Sequence, residues 1–331
     1  MTEKMRNAMK HYYPAYYESF LCIAADCPDS CCRGWDVVID SDTERFYRSV
    51  NGDLGKQLRE AIISDSDGDR IFRLADNKNC PFWGEDKLCD IYRKLGEEHL
   101  CETCAKFPRL TMEYEDMTEH TLALACPEAA RLILSTDNAY SAFTQTDASG
   151  CEDCDTDVTR LLLVSRQRCA DLLAADKALA DRLRDCLSYA EAVQARLYPR
   201  KESSEVPGLR EDLPALFDQL EYIDDRDRDK IVRAAHKADF SSQEAELTRL
   251  ALYDLFRYWL KSVDTLDVIS PVAFMIVSAV IVSNLSRENH LALYEAAQMY
   301  SKEIEQSDEN IERLFDIFSF GPLSDINNLM K

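Results

Sequence analysis

The sequence predicts a mostly α fold in two parts, an irregular cysteine-rich metal-binding N-terminal domain followed by an α-helical C-terminal domain. Three observations predict it. Nine of the 13 cysteines fall between Cys22 and Cys126. The stretch Ser135–Asp157, STDNAYSAFTQTDASGCEDCDTD, is rich in Ser, Thr and Asp and reads as a linker. From Val158 onward apolar residues recur at three- and four-residue spacing, the period of a helix buried along one face. The expected domains are residues 1–134, cysteine-rich and iron–sulfur-binding, then a linker at 135–157, then an α-helical domain at 158–331.

In the helical part, Leu163, Cys169, Leu172, Leu173, Leu179, Leu183 and Leu187 can share one broad face. Helices are expected at Glu211–Tyr222, Asp227–Lys237, Ser242–Ser262, Leu266–Leu285, Arg287–Ser301 and Asp308–Phe318. Ser241-Ser242-Gln243-Glu244 places a hydroxyl three residues before an acid, a start signal for the third of these. Val268–Ser283 is the most apolar run, but it has 16 residues and contains Pro271. A spanning helix needs about 20 residues, so a buried core helix is the expectation and no membrane association follows. In the N-terminal part only Trp35–Ile39 and Arg70–Leu74 read as short strands.

The formal net charge of −22 argues against a nucleic-acid partner or an anionic membrane surface. The N-terminal residues carry charges but no apolar stretch ending in a small-residue cleavage site, so a cytoplasmic setting is expected. Reducing compartments disfavour structural disulfides, and clustered cysteines there point to metal or redox chemistry.

The cysteines fall into three groups. Cys22, Cys27, Cys31 and Cys32 form C-x4-C-x3-C-C, Cys80 and Cys89 bracket a loop, and Cys101 and Cys104 form C-x2-C with Cys126 further on. Thiolates are soft ligands suited to zinc or iron–sulfur clusters, and close pairs lower the entropic cost of assembling a site. Structural zinc usually shows two C-x2-C pairs, and only Cys101–Cys104 has that spacing in this region, so the spacing leaves both metals open. His99 lies near Cys101 and reads as a packing or surface residue. Cys169 and Cys186 fall on apolar helical positions and read as core, while Cys151–Cys154 reads as a coincidental linker pair. No G-x-G occurs, which removes the dinucleotide fingerprint, the P-loop and the glycine-rich turn of most Rossmann-type methyltransferases.

Six segments together carry a resemblance: PAYYESFLC (Pro14–Cys22), the C-x4-C-x3-C-C-R-G-W run to Trp35, CPF at Cys80, LCDI at Leu88, LGEEHLCETCAKFPR (Leu95–Arg109) and LACPEAARLIL (Leu124–Leu134). They resemble the flagellin lysine-N-methylase (FliB) family, and a broader group of YkgJ-like cysteine-cluster proteins described as zinc- or iron-chelating shares a simpler version. The resemblance covers roughly Pro14 to Leu134 and implies a 4Fe-4S cluster. It also implies S-adenosylmethionine-dependent methyl transfer to lysine ε-amines, with flagellin as the protein partner. Cys22, Cys27, Cys31, Cys32, Cys80, Cys89, Cys104 and Cys126 fall on cysteines shared with the broader group, and Cys101 on one particular to the methylase-like set. Nine thiols exceed the four that one cluster takes, so a second metal or supporting roles are implied.

Three further residues are candidates for cofactor contact. Arg109 would pair with a cofactor carboxylate or offset cluster charge. Glu128 would accept from the cofactor's amino group or favour a helix start near Pro127. Tyr17, with Tyr12, Tyr13 and Tyr16, would line an aromatic channel for a lysine stem, or pack against the cysteine region. Trp35 and Phe82 would shield a cluster from water. The alternative function is an iron–sulfur or zinc protein used for electron transfer, metal handling or scaffolding, with no methylase activity.

Overall fold

The computed structural model describes residues 10–114, 117–140, 157–199 and 209–330. The first half of the chain runs through β1 (Lys10–Tyr12), α1 (Ser41–Ser49), α2 (Gly52–Ala61), β2 (Ile62–Ser64), β3 (Arg70–Phe72), α3 (Asp90–Leu95), α4 (Glu102–Lys106), β4 (Arg109–Glu113), β5 (Met117–Leu122) and α5 (Pro127–Ser135). Ten helices follow: α6 (Asp157–Leu173), α7 (Leu179–Leu197), α8 (Leu209–Asp218), α9 (Asp225–Ala234), α10 (Glu244–Tyr258), α11 (Ser262–Thr265), α12 (Ile269–Asn289), α13 (Leu293–Tyr300), α14 (Asp308–Phe320) and α15 (Leu323–Asn327). The described chain is mostly helical, as the sequence predicts.

Contacts divide the chain into two compact units, and the division differs from the one expected along the sequence. One unit holds the described residues of Leu21–Leu110 and Cys126–Glu128; the other holds those of Met1–Phe20, Thr111–Ala125 and Ala129–Lys331. The physical reason lies in the second unit. There β1 pairs in parallel with β5, with His11 opposite Thr118, in a three-stranded sheet of order β1-β5-β4. Two buried polar links join this sheet to the helices. The Tyr16 hydroxyl shares hydrogen bonds with Thr121 (2.6 Å) and Tyr140 (2.8 Å). Arg166 of α6 donates to Glu119 of β5 at 2.8 Å, both side chains almost fully buried. An ion pair so deeply buried costs much desolvation, and breaking one partner would cost more than the pair itself contributes.

The helical unit is built around α12. Its residues from Ile269 to Ser286 are all buried, against α7, α9, α10, α13 and α14. By length and composition this helix could cross a membrane, yet its apolar window is wholly covered by the surrounding helices. Pro271 stands in its first turn, where a missing N–H costs nothing.

Several expected elements shift. The start signal at Ser241–Glu244 is not used: Gln243 occupies the position before α10 in the left-handed region (φ 64°) with no side-chain cap, and its side chain instead donates to Ser286 at 3.1 Å. The helix after Leu266 runs past its expected end to Asn289, because His290 (φ 54°) turns the chain only there. The region from Val158 splits at residues 174–178 into α6 and α7, so Leu162 is fully buried and Leu163 and Leu172 are half-buried. Cys169 and Cys186 are fully buried on these two helices, as their spacing indicates. Of the expected linker, Tyr140 is buried and stacks on Phe256 at 4.5 Å, so the chain up to Tyr140 belongs to the helical unit. Cys151 and Cys154 lie outside the described residues.

In the cysteine-rich unit Arg70–Phe72 forms β3 and pairs with β2. Trp35–Ile39 does not form a strand. It runs beside β3 through Ile39 N–H to Arg70 O (2.7 Å) and one bridge at Val38–Ile71, too few contacts to extend a sheet.

Candidate functional site

The thiols of this unit sit on loops and at helix starts, and backbone hydrogen bonds fix those loops to one another. Cys27 closes a short 3-10 turn, Ala24–Asp26. Cys32 accepts from the Cys80 N–H at 2.7 Å, which ties the adjacent Cys31–Cys32 pair to the second cysteine loop. Gly34, at φ 99°, allows the next turn and donates to Lys78 O at 2.9 Å. Cys80 and Cys89 bracket a loop closed by a Trp83–Cys89 bridge and by Asp90 N–H to Phe82 O (2.8 Å). Cys89 immediately precedes α3 and Cys101 immediately precedes α4. Cys101 and Cys104 therefore lie three residues apart across the first turn of a helix, the spacing that brings two side chains to one side.

Three side chains hold α4 in place. Asp40 caps α1 by accepting from Thr43 N–H (2.9 Å) and also accepts from Glu102 N–H (3.0 Å). The Thr103 hydroxyl donates to Val38 O and the Tyr47 hydroxyl to His99 O, each at 2.8 Å. Beneath lies a small apolar core of Val37, Ile39, Tyr47, Leu58, Phe72, Phe82 and Ile91, in which Cys80 and Cys101 are themselves buried. Cys32, Cys89 and Cys104 pack against it half-buried, while Cys22 and Cys31 are exposed.

The thiols sense one another. Burial pushes the Cys80 thiol up to about 11, with Cys89, Cys101 and Cys31 adding to the rise. Cys101 and Cys104 share a hydrogen bond, which lowers Cys101 and raises Cys104; burial and the charges of Cys101, Cys32 and Cys80 raise Cys104 further. Burial raises Cys27, and Cys31 and Cys22 contribute to that rise. Two groups emerge: Cys32, Cys80, Cys89, Cys101 and Cys104 around the core, and Cys22 with Cys27, with Cys31 electrostatically linked to both. Sequence spacing defined three groups; the fold brings Cys32 of the first together with Cys80, Cys89, Cys101 and Cys104, and Cys126 is not among them.

Among the described residues no three His, Cys, Asp or Glu side chains stand close enough together to ligate one ion. In donor chemistry the set fits an iron–sulfur cluster or zinc: soft sulfur donors gathered on loops, which a bound cation would hold as thiolates. In arrangement the thiols are grouped without forming a closed ligand shell.

The remaining candidates are spread over both units. Phe82 is buried beside Cys80, and Trp35 donates to Cys31 O at 3.0 Å and packs on Phe107, so both cover thiol-bearing loops. Arg109 is exposed at the start of β4, Glu128 is half-buried in the first turn of α5, and Cys126 immediately precedes that helix. His99 stacks on Phe46 at 4.1 Å, a packing role. The four tyrosines do not act alike. Tyr16 is buried in the sheet–helix link, whereas Tyr13 and Tyr17 lie with His120 on the other face of the sheet. Asp40 and Tyr47 were not read from the sequence as site residues, although Asp40 before Ser41-Asp42-Thr43 carries a legible helix-cap signal.

Comparison with known proteins bears on this arrangement. The chain is 32% identical over 141 residues to the flagellar biosynthetic protein FliU of Salmonella muenchen, a match covering 39% of this chain and 79% of that protein. This chain belongs to the FliB/FliU family. Two FliB-type relatives named lysine-N-methylase, from Salmonella typhimurium and Salmonella choleraesuis, are 31% and 30% identical over 138 residues. The match spans 40% of this chain but only 34% of either lysine-N-methylase. No family model matches, and no solved structure matches.

Proposed function

We propose that the chain is an S-adenosylmethionine-dependent protein lysine N-methyltransferase that acts on flagellin and carries a 4Fe-4S cluster. The observation that carries the reading is the similarity to two proteins named lysine-N-methylase. The thiol groups support the cluster. Its proposed ligands are drawn from Cys22, Cys27, Cys31, Cys32, Cys80, Cys89, Cys101, Cys104 and Cys126, of which Cys32, Cys80, Cys89, Cys101 and Cys104 share one small core. Bound there, the cluster would cross-link the loops and supply an electron-accepting iron site.

The chain's own task is to prepare an amine. A lysine ammonium, with a reference pKa of about 10.4, must lose a proton before its nitrogen can attack a methyl group. Arg109 and Glu128 are the proposed contacts to the carboxylate and amino group of the methyl donor, and Tyr17 lines the path of the lysine. The strongly acidic surface favours approach of a basic substrate segment.

Anaerobic purification with iron, sulfide and zinc analysis, followed by transfer of labelled methyl groups to flagellin, tests both parts. About four iron and four sulfide per chain, with label on lysine, is the expected result. Loss of iron in Cys101→Ser and Cys104→Ser would support the ligand set. A colourless zinc protein that transfers no methyl group would overturn the reading.

One observation favours a second reading. The family match covers most of FliU, whose name states a flagellar biosynthetic role and no transferase activity, and only a third of the lysine-N-methylases. A metal-binding protein without methylase activity would retain the cluster and fail the transfer assay.

A further inference from the structure

The face of the β1-β5-β4 sheet that carries His120 gathers chemistry that the cysteine site does not use. His11 on β1 stands opposite Thr118, so alternation along the strands places His11, Tyr13 and His120 on one side. Tyr16 and Thr121 meet on the buried side. On the outer side His11 Nδ1 and His120 Nε2 are 3.1 Å apart, and His120 Nδ1 is 3.2 Å from the Thr111 hydroxyl. The Tyr13 ring lies parallel to His120 at 4.3 Å, with Tyr17 at 5.1 Å from Tyr13 and 5.9 Å from His120. Tyr13 and His11 are exposed and His120 is half-buried.

We propose that this face is an amine-binding site in which Tyr13 and Tyr17 seat an alkylammonium side chain and the His11–His120 pair receives its proton. The proposal rests on the lysine methylase reading and names the amine-handling part of that function. Aromatic faces attract ammonium groups, and their apolar bodies accept a lysine stem. The hydrogen-bonded chain defines the acceptor. When Thr111 accepts from His120 Nδ1–H, His120 Nε2 accepts from His11 Nδ1–H, and His11 Nε2 is left with a lone pair. That nitrogen takes a proton from the ε-ammonium, giving a neutral amine and an imidazolium stabilised by its neutral neighbour. The freed nitrogen lone pair then forms the N–C bond as the S–C bond of a sulfonium methyl donor breaks, and the neutral thioether leaves. Burial and His11 hold His120 below the usual imidazole range, which keeps it neutral for this role.

The test uses the full chain without methyl donor. Nα-acetyl-lysine N-methylamide is titrated while Tyr and His side-chain resonances are followed by NMR, with the norleucine counterpart as control. The expected result is that the lysine probe alone shifts Tyr13, His11 and His120, that Tyr13→Leu and His120→Gln weaken binding at least ~10-fold, and that Tyr13→Phe does not. In the transfer assay His11→Gln should slow methylation by about 100-fold. Equal response to both probes, no response to either, or wild-type binding by both Tyr13→Leu and His120→Gln would overturn the site. Wild-type transfer by His11→Gln would overturn the acceptor role. Selective probe binding by a protein that transfers no methyl group would leave the amine site standing and remove the methylase reading.

Discussion

The cysteine-rich unit and the helical unit reach stability by different routes. In the helical unit a long apolar helix is covered on all sides, with its own Phe274 and the nearby Trp259 and Phe318 fully buried. In the cysteine-rich unit the helices are short, the buried apolar set is small, and side-chain and backbone hydrogen bonds between loops do much of the joining. The first is an apolar core buried among helices. The second has the form of a small scaffold, which a bound metal or comparable cross-link usually completes. The lesson is that a unit can be joined by loop hydrogen bonds with little apolar bulk beneath them.

The sharpest way to break the comparison is at the centre of α12. Phe274 is fully buried against Tyr258 (4.9 Å) and Phe315 (5.8 Å). Phe274→Ala should cost about 3–5 kcal/mol, seen as loss of helical unfolding cooperativity in thermal circular dichroism. An effect under about 1 kcal/mol would mean that the core is not self-supporting.

In the cysteine-rich unit backbone approach replaces bulk. A methyl group on Gly55 of α2 would fall 1.9 Å from the Val50 carbonyl oxygen. Gly55→Ala is expected to destabilise by about 3 kcal/mol, and retention of the proposed cluster should fall with it. Unchanged iron binding and melting temperature would show that the α1–α2 packing does not support the loops.

A pH experiment probes the helical unit. Burial raises the Glu303 carboxyl to about 7, although it accepts from Ile223 N–H (2.7 Å) and Asp224 N–H (3.2 Å). Its folded value lies above its unfolded one, so its stabilising contribution is full below about 4.5 and is lost as pH rises through about 7. Denaturant melts at pH 5 and pH 8 should differ by about 2–3 kcal/mol more in the wild type than in Glu303→Gln. Equal differences would contradict this.

The smallest effect concerns Asp40. Burial opposes ionisation, but hydrogen bonds from Glu102 and Thr43 outweigh it and hold the carboxyl at about 2. Its contribution is present above the unfolded value near 3.8 and is lost as pH falls through about 2. Asp40 is half-buried at the start of α1, and Asp40→Ala should cost about 1 kcal/mol at neutral pH, the usual worth of a helix cap. It should also lower retention of the proposed cluster, because the same side chain holds the helix that begins after Cys101. Loss of stability without loss of iron would separate capping from site positioning.

Much of the candidate site was legible because its residues carry their chemistry in their type. Nine thiols in three groups stand out by composition alone, and Cys101–Cys104 announces a one-turn pair. Asp40 and Tyr47 were not legible as site residues, because an acid before a helix and a tyrosine within one are ordinary until the fold sets them against α4. The tyrosines near the N-terminus show the same limit. Tyr13, Tyr16 and Tyr17 read as one aromatic group, and the turn after β1 sends Tyr16 inward and leaves Tyr13 outside beside His120, which is more than a hundred residues away in sequence.

By itself the sequence determined the mostly helical class, the buried nature of the apolar run at Val268–Ser283 and the concentration of thiols before Cys126. These follow from local composition and period, which act over a few residues. Only the tertiary structure decided that β1 belongs with β5 and the helical unit, that the Cys80–Cys89 and Cys101–Cys104 loops surround one small core, and that His11 meets His120. Those depend on pairings between residues far apart in sequence, where hydrogen-bond register and the burial of charges such as Arg166 and Glu119 select one arrangement and no local pattern records the choice.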